Sequence, residues 1–129
     1  MEMKLRLDYD KFTFRILDAF YMLKSIPAPY DVRISASGEG LHIIKDGDYT
    51  YDNPLYVMYD DPRRLKMNRI RQRAGVSHNI LWSKKKGSVP EQWYHIENIV
   101  DIMAFACRLY EVNKNRKPYI PLPPSKVRG

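Results

Sequence analysis

The chain alternates between a two-residue and a three- to four-residue hydrophobic spacing, which restricts it to a fold that mixes strands with helices. Residues 4–9 and 31–35 alternate apolar with polar side chains, as strands do when one face is buried. Residues 41–44 are predicted to pair with the second strand, because Gly38 and Gly40 permit a tight turn between them. The two further predicted strands are residues 79–83 and 92–96.

Three segments have helical spacing. The first follows Asp10, a suitable N-cap, and its apolar face consists of Phe12, Ile16, Phe20 and Leu23. The second is expected to begin at Pro62, after a cap by Asp60 or Asp61, and to end at Gly75. The third has a stripe that we expect to be buried, formed by Ile99, Val100, Met103, Ala106, Cys107 and Tyr110. The predicted fold is therefore α+β, with a mainly antiparallel sheet of about five strands packed against two or three helices.

Length and composition favour one domain in a reducing compartment. The 129 residues divide into a predicted domain at 1–116 and a basic, proline-rich tail at 117–129. The single cysteine excludes an intramolecular disulfide, and no cluster of Cys and His has the spacing of metal ligands, so we predict no cofactor. No apolar run approaches the roughly 20 residues of a membrane helix, and we expect a cytoplasmic protein without a membrane partner.

Positive charge is segregated along the chain. The net charge is +7, from 22 Lys and Arg against 15 Asp and Glu, and residues 62–86 contain no acid at all. A basic segment without internal neutralisation predicts an anionic partner, and interleaved aromatic residues favour nucleic acid. The nine cations of this segment are Arg63, Arg64, Lys66, Arg69, Arg71, Arg73, Lys84, Lys85 and Lys86.

The first third of the chain contains a second candidate site. Asp8 and Asp10 lie one residue apart at the end of the first strand, where two carboxylates can share a divalent cation. The turn Ser37-Gly38-Glu39-Gly40 precedes His42 and can offer backbone amides to a phosphate. This order of motifs resembles the archaeo-eukaryotic primase superfamily over residues 4–45. The resemblance implies metal binding by the acids and phosphate binding by His42, although neither later strand supplies the third carboxylate of catalytic members.

A second resemblance covers the basic half of the chain. The segment Asp60-Asp61-Pro62-Arg63-Arg64 and the run Asn79-Ile80-Leu81-Trp82-Ser83-Lys84-Lys85-Lys86-Gly87 frame the basic helix. Together with the Gly turn, they look like the single-stranded DNA-binding proteins of thermophilic archaea and their viruses that lack an OB fold. The resemblance implies non-catalytic binding of single-stranded DNA in a cleft between a sheet and a basic helix, in a replication or recombination setting.

The sequence therefore predicts a binder of single-stranded nucleic acid, DNA rather than RNA, with little sequence preference. Such proteins combine a cationic groove with aromatic rings on which bases stack. The predicted binding residues are the nine cations, Trp82, Tyr49 and Tyr51 as stacking rings, and Ser37, Gly38 and His42 as phosphate contacts. Trp93 has no basic neighbour and is expected in the core. A homodimer through the last helix would add avidity.

Three alternatives remain open. A minimal primase-like or nuclease subunit would use Asp8, Asp10 and His42 with Mg²⁺ or Mn²⁺. A duplex reader would place the basic helix in the major groove, with Asn68 and Gln72 at base edges. An interaction subunit would dock its basic face on an acidic protein.

Overall fold

A computed structural model describes residues 2–10, 15–36, 38, 40–81 and 90–114. Its architecture is α+β, as predicted, with a four-stranded antiparallel sheet and four helices. One strand fewer and one helix more than the sequence predicted are present in this part of the chain. In chain order the elements are β1 (Leu5–Asp10), α1 (Ile16–Ser25), β2 (Tyr30–Ile34), β3 (Gly40–Lys45), α2 (Pro54–Tyr59), α3 (Pro62–Arg73), β4 (Tyr94–Ile96) and α4 (Ile99–Lys114).

The sheet has the strand order β1-β3-β2-β4, and its two faces differ in character. Alternation along β1 buries Leu5, Leu7 and Tyr9, and these side chains join residues of α1 and α4 in the hydrophobic core. The opposite face carries a polar row. Asp8 pairs with His42 across β1 and β3, and Arg33 on β2 pairs with the same histidine. Helices α1 and α4 therefore cover one face, while the polar row lies on the other.

The hairpin between β2 and β3 needs both of its described glycines. Gly38 has a φ of 76°, a left-handed conformation that glycine adopts without steric cost, and its amide donates to the Ser35 carbonyl at 2.9 Å. Gly40 begins β3 so close to β1 that a Cβ there would lie 2.9 Å from the Tyr9 carbonyl oxygen. The predicted turn is thereby confirmed at these two positions.

The outer edge of β1 bonds to side chains and to one backbone amide of the α2–α3 segment. The Asp8 amide donates to Asp60 Oδ1 at 2.8 Å, and the Asp61 amide donates to the Asp8 carbonyl at 3.0 Å. The Arg6 amide donates to the Tyr56 hydroxyl at 3.2 Å. Because an open strand edge exposes unpaired backbone groups, the α2–α3 segment acts here as a cover for the sheet edge.

The start of α3 was predicted correctly, whereas the start of α1 was not. Asp61 Oδ1 accepts from the Arg63 amide at 2.8 Å and Pro62 occupies the first helical position, as expected. Asp10, predicted to cap the first helix, instead ends β1. That helix begins at Ile16, after Arg15, which provides no side-chain cap.

Two other segments differ from the sequence expectation. The predicted strand at 79–83 is irregular over its described residues, because Asn79 has a φ of 61° and its side-chain amide donates to the Lys4 carbonyl. Its remaining two residues lie outside the described part of the chain. Residues 54–59, for which the sequence predicts no helix, form α2, because Asn53 caps this helix and Pro54 starts it.

The apolar stripe expected to bury α4 lies on the solvent side of the helix. Ile99, Val100, Met103 and Tyr110 are 45%, 67%, 54% and 57% exposed, and Cys107 is exposed as well. The residues that enter the core are Ile102, Phe105 and Leu109, which have the same three- to four-residue spacing. Both sides of the helix are apolar, so spacing could not choose between them. Phe105 decides the face by packing edge-on against Tyr94.

Candidate nucleic-acid interface

Helix α3 presents most of its positive charge to solvent. Four of its cations are exposed, and no carboxylate of the described residues forms an ion pair with any of them. These residues, called here the α3 cations, are Arg63, Lys66, Arg71 and Arg73. Their charges are spread over a helix of 12 residues, or about 18 Å at the usual rise per residue.

The α3 cations line clefts on two sides of the helix. The first, the Asp8 cleft, has a volume of about 310 Å³ and includes Arg63 and Arg71. The second, the Leu65 cleft, has a volume of about 320 Å³ and includes Lys66 and Arg73. The helix is thus a basic ridge between two grooves, and a chain of phosphates could contact either side of it.

Arg64, predicted to hold phosphate, has a structural role instead. Its side chain is 11% exposed, and Nη1 donates to both Asp60 carboxylate oxygens at 3.0 and 3.1 Å. The same Nη1 donates to the Arg6 carbonyl at 3.0 Å, and Nη2 donates to Asn79 Oδ1 at 3.0 Å. Because these bonds hold the guanidinium against the outer edge of β1, we do not assign Arg64 to the interface.

Arg69 is partly committed within the protein. Its Nη2 donates to the Tyr51 carbonyl at 3.0 Å and lies 3.5 Å from Asp52 Oδ1. The Arg69 side chain is 43% exposed and that of Asp52 is 93% exposed, so solvent weakens this pair. Arg69 borders the Leu65 cleft and can still contribute positive charge there.

The two tyrosines predicted as stacking rings pack against the protein. Tyr51 is 3% exposed, lies edge-on against Tyr56, and bonds through its hydroxyl to His78 Nδ1. Burial raises the pKa of Tyr51 to about 12. Its face is therefore not available to a base. Tyr49 is half-buried against the hydrophobic core, and its ring lies where a side chain on Gly47 would be.

Several predicted binding residues lie outside the described part of the chain: Ser37, Trp82, Lys84, Lys85 and Lys86. Of the predicted phosphate-binding turn, Gly38 is described, and its amide is already used by the Ser35 carbonyl. Asn68, considered as a base-edge reader, is 4% exposed and thus does not lie on an open helix face, whereas Gln72 does.

The polar row places Asp8 next to a neutral His42. Arg33 Nε donates to His42 Nδ1 at 3.0 Å, so the histidine proton resides on Nε2, which lies 3.8 Å from Asp8 Oδ1. Burial, assisted by the positive charges of Arg33 and Arg64, lowers the pKa of His42 to about 4. His42 is only 4% exposed, so it is a buried neutral donor and not a cation for phosphate at neutral pH.

Asp8 carries an energetic cost when it is ionised. Burial, then the neighbouring Asp10, raises its pKa to about 6, although Arg64 opposes the shift. The folded pKa exceeds the unfolded value of 3.8, so folding favours the protonated carboxyl. Its contribution to the free energy of unfolding is fully present below about pH 4. That contribution is lost as the pH rises through about 6.

We therefore expect Asp8→Asn to raise the free energy of unfolding by about 1–2 kcal/mol at pH 7.5 and to leave it nearly unchanged at pH 4. The gain is smaller than for a fully buried charge, because 27% of the Asp8 side chain is exposed and solvent screens its charge. Urea denaturation at both pH values is the measurement, and exposed Asp48→Asn is the control. Equal effects at the two pH values would contradict the burial of Asp8.

The acids at the end of β1 do not form a metal-binding cluster with other described residues. Asp8 and Asp10 project from the same side of β1, but no group of three or more His, Cys, Asp or Glu there could hold a metal ion. The His42 nitrogen that faces Asp8 carries a proton and cannot act as a ligand in that tautomer. Asp60, which lies beside Asp8 in the fold, has a fully buried side chain that bonds to Arg64.

Sequence reasoning missed residues on the polar face of the sheet. Trp93, expected in the core, is 39% exposed, and the Arg33 guanidinium lies 4.4 Å from its ring centroid. A signal was present: Arg33 alternates with the buried Val32 and Ile34 and so had to project from the polar face. That Trp93 reaches Arg33 follows from the pairing of β2 with β4, which no local pattern specified.

Comparison of the chain with protein-family models, with curated protein sequences and with solved structures found no match. Both family resemblances therefore stay predictions. In the described ranges, no helix is both long and apolar enough to cross a membrane.

Proposed function

We propose that the protein binds single-stranded nucleic acid, DNA in preference to RNA, along the basic ridge of α3. The observation that carries the proposal is the set of α3 cations, which are exposed and lack carboxylate partners among the described residues. A protein that leaves such charges unneutralised gains free energy when phosphates displace the counterions around them. This term is independent of base sequence, so we expect low sequence specificity.

Three features favour a single strand over a duplex. The clefts beside α3 measure about 310 and 320 Å³, a size that suits individual nucleotides and not the backbone of a duplex. Asn68 is buried, whereas a protein that reads the major groove would present such an amide beside Arg. Trp93, which is 39% exposed, is an aromatic ring on which a base could stack.

Titration of labelled single-stranded DNA, duplex DNA and RNA by fluorescence anisotropy, at several salt concentrations, tests the proposal. We expect the single DNA strand to bind tightest, with log K falling by about 0.7 per phosphate contact for each tenfold rise in salt. Addition of a chelator should not change the affinity. Absence of binding at low salt would contradict the proposal and favour an acidic protein as the partner of the basic face.

The primase-like alternative makes the opposite prediction for metal. If binding or nucleotidyl transfer required Mg²⁺ or Mn²⁺, the acids Asp8 and Asp10 would become the site of interest.

The homodimer predicted from the sequence also remains a proposal. It is supported by the exposed apolar side of α4, and sedimentation of the free protein would measure it in the same samples.

A further inference from the structure

The Asp8 cleft is lined in part by Asn68, which has a buried hydrogen-bond donor without an acceptor in the described ranges. Asn68 is 4% exposed, and its Nδ2 has no acceptor among the described residues. The orientation of this amide is fixed, because Asn68 Oδ1 accepts from the Asn79 backbone amide at 2.8 Å. An unpaired buried amide is costly, so such groups are uncommon in folded proteins unless a ligand or water completes them.

The lining of the cleft is ordered from a polar interior to a basic mouth. Asn68 is 4% exposed, and the side chains of the structural Arg64 and of Asp8 are 11% and 27% exposed. Met67 and Ile80 are 48% and 42% exposed and provide apolar walls nearer the surface. Arg63 and Arg71 are exposed and contribute the positive charge of the opening.

These groups match the parts of one nucleotide. A nucleobase is flat and apolar on its faces, and it carries hydrogen-bond donors and acceptors along its edge. The Asn68 amide can donate to such an edge, while the Asp8 carboxylate can accept from it. A phosphate attached to the same nucleotide would lie at the mouth, where the guanidinium groups are. A phosphate inside would face the carboxylates of Asp8 and Asp61 and be repelled.

We propose that the Asp8 cleft binds a single nucleotide, with the base inside and its phosphate at the opening. The base edge bonds to Asn68 Nδ2, its faces contact Met67 and Ile80, and Arg63 and Arg71 hold the phosphate. The volume of about 310 Å³ lies at the lower end of ligand pockets and suits one unit. This assignment rests on the proposed function, because the nucleotide would belong to the single strand that binds along α3.

The test uses deoxycytidine 5′-monophosphate as the probe and 2-deoxyribose 5-phosphate, which lacks the base, as its control. Titration into ¹⁵N-labelled protein should give saturable shifts of the Asn68 side-chain amide with the nucleotide. The sugar phosphate should bind at least about tenfold more weakly. Equal binding of both would overturn the proposal, since it would reduce the cleft to a phosphate site.

Two variants locate the site. Asn68→Asp keeps the acceptor for the Asn79 amide and removes the unused donor, so nucleotide affinity should fall by about tenfold or more. Because a buried carboxylate can also destabilise the fold, Arg71→Gln at the mouth provides an independent test with a similar expected loss. Lys24→Gln removes the same charge from an exposed position on α1 and should leave nucleotide binding unchanged. Equal losses for the Arg71 and Lys24 variants would refute the assignment.

Failure of this inference can be told apart from failure of the proposed function. If single-stranded DNA binds with a steep salt dependence but Asn68→Asp binds every homopolymer strand as the wild type does, the ridge is correct and the cleft is wrong. If the mononucleotide binds in the cleft but no strand binds, the protein is a nucleotide-binding protein, and the single-strand proposal is wrong.

Discussion

Replacement of Arg64 by methionine is expected to lower the free energy of unfolding by about 3–5 kcal/mol, the usual cost of removing one member of a buried ion pair. Asp60 has a fully buried side chain and would lose its only cationic partner among the described residues. The Arg6 carbonyl and Asn79 Oδ1 would each lose a donor as well. The methionine side chain preserves most of the apolar packing of the arginine stem. The lost stability is therefore due to the charge and the hydrogen bonds of Arg64.

Chemical denaturation of wild type, Arg64→Met and the neighbouring Arg63→Met measures this effect. Arg63 is exposed, and its side chain forms no ion pair with a described residue, so its replacement should change stability by less than about 0.5 kcal/mol. Arg64→Met combined with Asp60→Asn should recover part of the loss, because asparagine can still accept from the Asp8 amide. If the two single variants were equally stable, Arg64 would not close the β1 edge.

The pH dependence of the Arg64 variant provides a second check. Burial raises the pKa of Asp60 above its ordinary value, and Arg64 is the main influence that opposes this rise. Without Arg64 the folded pKa should rise further, so ionised Asp60 would destabilise the fold over a wider pH range. The stability difference between Arg64→Met and wild type should therefore shrink as the pH falls and Asp60 becomes protonated.

Local signals in the sequence were sufficient for the elements whose ends are set by neighbouring residues. Asp61 and Pro62 fix the start of α3, and Gly38 fixes the hairpin, because caps and tight turns depend on a few consecutive residues. The α+β class followed from the two hydrophobic spacings. By contrast, α4 is apolar on two sides, and which side is buried depends on its packing against Tyr94 and the sheet.

The roles of individual charged and aromatic residues were harder to predict, because they depend on partners distant in the chain. Arg64 resembles its basic neighbours in the sequence, yet its Nη1 bonds to Arg6, 58 residues away. Tyr51 resembles a stacking ring, but contacts with Tyr56 and His78 bury it. The pattern of charge predicted a basic surface, whereas only the tertiary contacts separate the α3 cations from Arg64, whose guanidinium bonds within the protein.

Simultaneous replacement of the α3 cations by glutamine is expected to weaken single-stranded DNA binding by about two to three orders of magnitude near 0.1 M salt. Each phosphate contact on a single strand contributes about 0.7 to the slope of log K against log salt, so loss of four should lower the slope by about 2.8. The fold should persist, because these side chains are exposed and form no ion pairs with described residues.

A matched variant separates this local effect from net charge. Replacement of Lys4, Arg15, Lys24 and Lys114 by glutamine removes the same number of charges from exposed positions outside α3. If the ridge binds the strand, this control should keep nearly all of the salt slope and lose at most about tenfold in affinity. Equal losses in the two variants would mean that the strand responds to overall charge, and the interface would have to lie elsewhere on the protein.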